Sequence, residues 1–130
     1  YRKKLASFAE KFPSAKVKFR CGVETFDTAL REAWKKGIPS SVSVQDIAQH
    51  FQGICLLCCT QGETKEHILK DIELAKAHFE YFSVNVFCDN HTPIKQDKEL
   101  ASWFAKVVYP MIKDDPRIEL FIDNTDLGVG

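Results

Sequence analysis

Two kinds of residue in this 130-residue chain could do chemistry: its cysteines, and the polar residues that follow its apolar runs. Cys55 and Cys58 stand at Cys-x-x-Cys spacing, with Cys59 beside them. In a turn, that spacing serves zinc or a redox pair. Here it lies in Gly53-Ile54-Cys55-Leu56-Leu57-Cys58-Cys59, a continuous apolar run suited to a strand buried on both faces. Successive side chains on a strand point to opposite faces, and at roughly 3.3 Å per residue the two thiols diverge by about 10 Å. They cannot share a tetrahedral ion there, so buried, inert thiols and no metal site are expected. His50, His67, His78 and His91 show no metal spacing. His67 and Asp71 read as a surface pair one helical turn apart. His91 follows a strand and is the histidine to test for function.

The polar candidates fall in four patches. They are Gly22-Val23-Glu24-Thr25, Thr60-Gln61-Gly62-Glu63-Thr64, Asp89-Asn90-His91-Thr92 and Asp123-Asn124-Thr125-Asp126. Each follows an apolar run. Ordinary turns and helix caps share this look. Thr60 and Thr64 flank a helix start, which can bind an anion, but a simple cap is the favoured reading.

The elements that must hold these patches alternate along the chain. Tyr1 to Phe12 has helical spacing, with Leu5, Phe8, Ala9 and Phe12 on one side. Lys16 to Gly22 alternates polar and apolar, as a strand does. Asp27 caps a helix through Lys36, stopped by Gly37 and Pro39. A short helix covers Val44 to Phe51, and Gly53 to Cys59 is the second strand. Thr64 caps a helix to about Tyr81 with Ile68, Ile72, Ala75 and Phe79 inward. Phe82 to Cys88 is the third strand. Asp97 caps a helix with Leu100, Phe104, Val107 and Met111 inward, which Pro110 should kink or end. Arg117 to Ile122 is the last strand. Strands separated by helices imply a parallel sheet with right-handed crossovers. The expected fold is α/β, a parallel four-stranded sheet from βα units in one domain over residues 1–130, forming either an incomplete TIM-like half barrel or a small open sheet. Ligands of such folds bind beyond the carboxyl ends of the strands.

Composition excludes several classes. The chain carries 18 basic and 18 acidic residues, so it exerts no global pull on nucleic acid or anionic membrane. No apolar run approaches the ~20 residues of a membrane span. No signal peptide is evident, and five cysteines without secreted-scaffold spacing point to the cytoplasm. The start at Tyr1, without Met and inside a helical pattern, suggests a fragment or processed product.

Three segments together resemble the radical S-adenosylmethionine (SAM) enzymes. Phe19 to Arg31, with Gly22-Val23-Glu24-Thr25 and the later Lys36-Gly37, is similar to that family's fourth-strand motif. Cys59 to Thr64 resembles its fifth-strand Gly-Leu-Pro-Gly-Glu-Thr, with Gly62-Glu63-Thr64 kept and Cys59 and Gln61 in place of Gly and Pro. Val84 to Thr92, then Pro93, resembles its sixth strand with a Thr-Pro loop. The likeness runs from about residue 16 to 113, nearest the branches holding anaerobic coproporphyrinogen oxidase and the methylthiotransferases.

The resemblance implies the C-terminal part of a partial (βα)6 barrel. There a [4Fe–4S] cluster cleaves SAM to a 5′-deoxyadenosyl radical, which takes hydrogen from a substrate. It implies that Glu24 hydrogen-bonds a polar group of SAM and that Lys36 pairs with the methionyl carboxylate. Backbone near Cys59, Thr60 and Cys88 would line the adenosine site. Cys55 replaces an acidic ribose ligand of some relatives. The family's Cys-x3-Cys-x2-Cys motif is absent from this sequence, so these 130 residues alone are expected to bind no cluster and to be inactive. Catalytic residues and substrate are not legible. The alternatives are a non-catalytic α/β nucleotide- or anion-binding module at Thr60–Thr64, and a thiol or metal protein using Cys55, Cys58 and Cys59. The strand at 16–22 would lack a partner on one side, so self-association through that edge is expected.

Overall fold

In the computed structural model, the protein is described over residues 2–11, 17–34, 38–39 and 41–122. Four strands, β1 (Arg20–Glu24), β2 (Gly53–Cys58), β3 (Tyr81–Val86) and β4 (Ile118–Phe121), lie parallel in the order β1-β2-β3-β4. Helix α1 (Arg2–Glu10) precedes them. The crossovers carry α2 (Thr28–Ala33) and α3 (Val44–Ala48), then α4 (Lys65–His78), then α5 (Lys98–Trp103) and α6 (Tyr109–Ile112). Sequential parallel strands with helical crossovers form the α/β half barrel the sequence predicts.

The two sheet faces differ. Val23, Ile54, Leu56, Cys58, Phe82, Val84, Val86 and Ile118 point to the helices and form the main core with Ile68, Ile72, Ala75, Phe79, Leu100 and Phe104. All four predicted inward residues of α4 and its end, Ile68, Ile72, Ala75 and Phe79, are buried. The other face is the concave side. Its lowest row is Arg20, Gly53 and Tyr81, and the next is Gly22, Cys55, Ser83 and Glu119. The Arg20 guanidinium stands 4.9 Å from the Tyr81 ring centroid and donates to Glu119 Oε1 at 2.6 Å. Arg20 and Glu119 belong to the two outer strands. In a flat sheet these would be three spacings, roughly 14 Å, apart. Their side chains meet because the sheet is strongly curled, as a barrel wall must be.

Several boundaries depart from the sequence reading. Lys16 lies outside the described residues, and Val17 to Phe19 form no ladder. Phe19 O instead accepts from Gln52 N and Gly53 N, at 3.0 and 3.3 Å, so β1 begins at Arg20 and runs past Gly22 to Glu24. Helix α4 stops at His78, not Tyr81. Phe79 is extended, and Glu80 N donates to Gln52 O at 2.9 Å, so strand pairing takes over from the helix.

Pro110 does not end its helix, which continues to Ile112. A π-helical turn over Phe104–Val108 precedes it, with Tyr109 N–H bonding Phe104 O, five residues back. The widened turn accommodates a ring that would press on the preceding turn of an α-helix. It also moves the buried stripe on by one residue. Val108 and Ile112 are buried, whereas the expected Val107 and Met111 are 45% and 69% exposed.

Candidate functional site

The carboxyl ends of β1, β2 and β3 bring three predicted segments to one edge. At β1 the ladder slips between Gly22 and Glu24, a bulge of the kind that re-aims a side chain. Glu24 itself has φ 71°, and Thr25 N–H bonds Val23 O at 2.9 Å. That is a γ-turn of the rare, strained, positive-φ form. It sends the Glu24 carboxylate over the concave face: Oε1 lies 3.5 Å from where a Cβ on Gly22 would stand.

The next residue anchors the turn. Thr25 is fully buried, and its hydroxyl donates to Asp71 Oδ2 at 2.7 Å. Phe26 N donates to Asp71 Oδ1 at 3.0 Å, and Asp27 N to Thr25 Oγ1 at 3.0 Å. Asp71 is therefore not half of a surface pair. It is 5% exposed, and burial raises its pKa against the opposing pull of Thr25 and Phe26. His67 instead approaches Asp27, at 3.4 Å. A helix residue from the next crossover holds this turn, which i,i+4 spacing alone does not reveal.

The end of β2 repeats the design. Cys59 has φ 68° and is fully buried. It occupies the place of the expected family glycine, which would adopt that φ without strain. Thr60, also fully buried, donates its N–H and hydroxyl to Glu63 Oε1 at 2.9 and 3.1 Å. The second Glu63 oxygen is buried without a partner. Burial pushes the Glu63 carboxyl up to about 7. Thr64 accepts from His67 N at 3.2 Å, so it is the cap the sequence suggests. Gln61 N to Lys95 O and Asp97 N to Cys59 O, both 2.8 Å, tie the following loop to this edge. Between them opens a groove of about 460 Å³ lined by Gln61, Asp89, Lys95, Gln96, Asp97, Lys98 and Glu99.

Cys88 is half-buried just past β3, its thiol 3.9 Å from Val86 O. Lys36 and the patch Asp123 to Asp126 lie outside the described residues. His91 is exposed on the loop after β3. Cys55 and Cys58 lie on opposite faces, Cys55 in the concave row and Cys58 in the core. Burial holds the Cys58 thiol well above its ordinary pKa. Among the described residues no group of three or more His, Cys, Asp or Glu is placed to hold a metal ion, and no helix is long and apolar enough to cross a membrane.

Arg31 on α2 escapes sequence reasoning altogether. It is 3% exposed, and its Nε and Nη1 are buried without hydrogen-bond partners. A single sequence offers no sign of it, because Arg31 reads as an ordinary exposed helix residue. Its neighbour Trp34 packs with Leu57 and Phe87, so α2 covers the upper end of the sheet.

An α/β half barrel with strained polar turns at its carboxyl edge defines a class that binds ligands at that edge. No protein-family model and no curated protein matches the chain. Among solved structures it is similar to a queuine lyase from Clostridium spiroforme, a radical SAM enzyme whose structure holds SAM and queuine. The identity is 34% and the TM-score 0.89, over 100% of this chain and 56% of that one. The likeness bears out the radical SAM resemblance of the sequence, and the chain spans about half the length of that enzyme.

Proposed function

We propose that this chain is the C-terminal part of a radical SAM enzyme barrel, and that the full-length protein cleaves SAM and takes hydrogen from a substrate. The observation that carries this is the 34% identity and TM-score of 0.89 across the whole chain. In our reading SAM lies on the concave face, beside Glu24. Gly22, Cys55 and Ser83 form a row of small residues there, and the Glu24 carboxylate overhangs it. The described residues do not fit an iron–sulfur cluster, since no metal-ligating group assembles among them. In our reading a [4Fe–4S] cluster would be held by other parts of the full-length protein, where it would supply an electron.

In this reading Glu24 accepts a hydrogen bond from a donor group of SAM, and Lys36 pairs with its carboxylate. The turns at Thr60 and Cys88 border the adenosine. Thr60 acts by shaping its turn, because its N–H and hydroxyl are committed to Glu63. The same commitment argues against an anion module at Thr60–Thr64. Queuine, bound by the similar lyase, is the first substrate to test. Five free thiols suit a reducing cytoplasm. The test is calorimetry on anaerobically reconstituted full-length protein. Glu24→Ala and Lys36→Ala should each weaken SAM binding by about 1–3 kcal/mol, the range for hydrogen bonds to charged groups. Unchanged affinity in both ends the assignment.

We further infer self-association of the 130-residue chain through β1, whose outer edge has no strand partner among the described residues. Sedimentation at micromolar concentration should show dimers or larger species. A monomer that unfolds cooperatively contradicts this.

A further inference from the structure

We propose that Asp71, acting through Thr25, is a positioning residue for Glu24: it holds the strained turn that aims the Glu24 carboxylate over the concave face. The inference rests on the reading of Glu24 as a SAM contact. Three observations meet here. The strand bulges between Gly22 and Glu24. Glu24 then occupies the left-handed region at φ 71°, closed by the Thr25 N–H to Val23 O bond. Such conformations cost of order 1–3 kcal/mol and persist only where the surroundings over-determine them. Among the bonds that hold this turn, one buried carboxylate makes two. Asp71 takes the Thr25 hydroxyl on one oxygen and the Phe26 amide on the other, at 2.7 and 3.0 Å. It reaches the turn from α4, the helix that follows the next strand, and it is 5% exposed. Both groups that it holds lie immediately after Glu24, so releasing them frees the backbone to leave its strained conformation and carry the side chain away. Both Asp71 oxygens are engaged by the turn, and the carboxylate acts on Glu24 through the two residues that follow it.

The test uses full-length, cluster-reconstituted protein and measures SAM affinity by calorimetry in Asp71→Ala, Glu24→Ala and the double variant. Each single change should weaken binding about tenfold or more, and the double should be no weaker than Glu24→Ala alone. Effects that multiply in the double overturn the proposal, because Asp71 would then act on something other than Glu24. Thr25→Val should reproduce the loss and Thr25→Ser should restore it, which separates the hydroxyl's role from folding if Asp71→Ala is poorly folded. Equal affinity in the Val and Ser variants also overturns it. Should Glu24→Ala leave SAM affinity unchanged, the assignment of Glu24 as a ligand falls. The positioning claim is then decided by the crystal structure of Asp71→Asn or Asp71→Ala. Glu24 outside the left-handed region supports it, and Glu24 still near φ 71° refutes it.

Discussion

Gly53→Val is expected to destabilise the fold by about 3 kcal/mol or more, at the upper end of overpacking penalties. A Cβ at Gly53 would stand 2.2 Å from Tyr81 Cε2, 2.5 Å from Cζ and 2.7 Å from Cδ2. No side chain fits while that ring stays in place. The ring cannot swing away freely, since Arg20 covers it at 4.9 Å and Lys18 at 5.8 Å from its centroid. Gly53 is also in a paired inner strand, so the backbone has little room to retreat. Tyr81→Ala in the same chain removes the obstacle. Urea unfolding of both single variants and the double should show strong non-additivity, with the double more stable than the sum of the singles predicts. Additivity within about 0.5 kcal/mol would show that glycine and ring do not compete for the same space.

The second large effect is on pH. Burial raises Glu63 from an ordinary 4.5 to about 7. A carboxyl with a raised folded-state pKa holds its proton in the native protein where the unfolded chain has lost it. Native stability therefore falls as pH rises from about 4.5 to about 7, by about 3 kcal/mol in all. The loss is complete above about 7, where the buried group must ionise with one oxygen unpartnered. Asp71 shifts in the same direction and adds to the trend. Glu63→Gln keeps an acceptor for Thr60 and carries no charge. Denaturant midpoints at pH 5 and pH 8 should differ clearly in the parent protein and much less in Glu63→Gln. Equal midpoints in the parent, or an undiminished difference in the variant, would refute this account.

The regular parts of this molecule were legible because local signals and tertiary packing agree in them. Asp27, Thr64 and Asp97 each cap the helix they were expected to cap. The spacing of Ile68, Ile72, Ala75 and Phe79 matches the face that is buried. The parallel sheet follows from the alternation of such elements, and its closure toward a half barrel from the family resemblance. The stripe through Val107 and Met111 failed because a π turn changes the period, and a count at 3.6 residues per turn does not see that coming. Asp71 departs from its sequence reading for another reason. Helical spacing pairs it with His67, but its partners Thr25 and Phe26 follow β1, a whole strand earlier in the chain than the one that leads into α4. Glu24 could be singled out from its motif. The bulge and the positive φ that direct it depend on backbone geometry, and a glutamate gives no local hint of either.

The Arg20–Glu119 contact behaves like a string drawn across a bow. It joins the first and last strands of the arc. The two side chains are 34% and 52% exposed, so the string adds little stability of its own. What matters is the posture it records. The outer margins of β1 and β4, unpaired among the described residues, already lean toward each other. Any strand that joins either margin meets a wall already turned to receive it, and docking requires no flexing of the sheet. A flat sheet of the same four strands would have to be bent at the moment of assembly, with the cost charged against the affinity of whatever completes the ring.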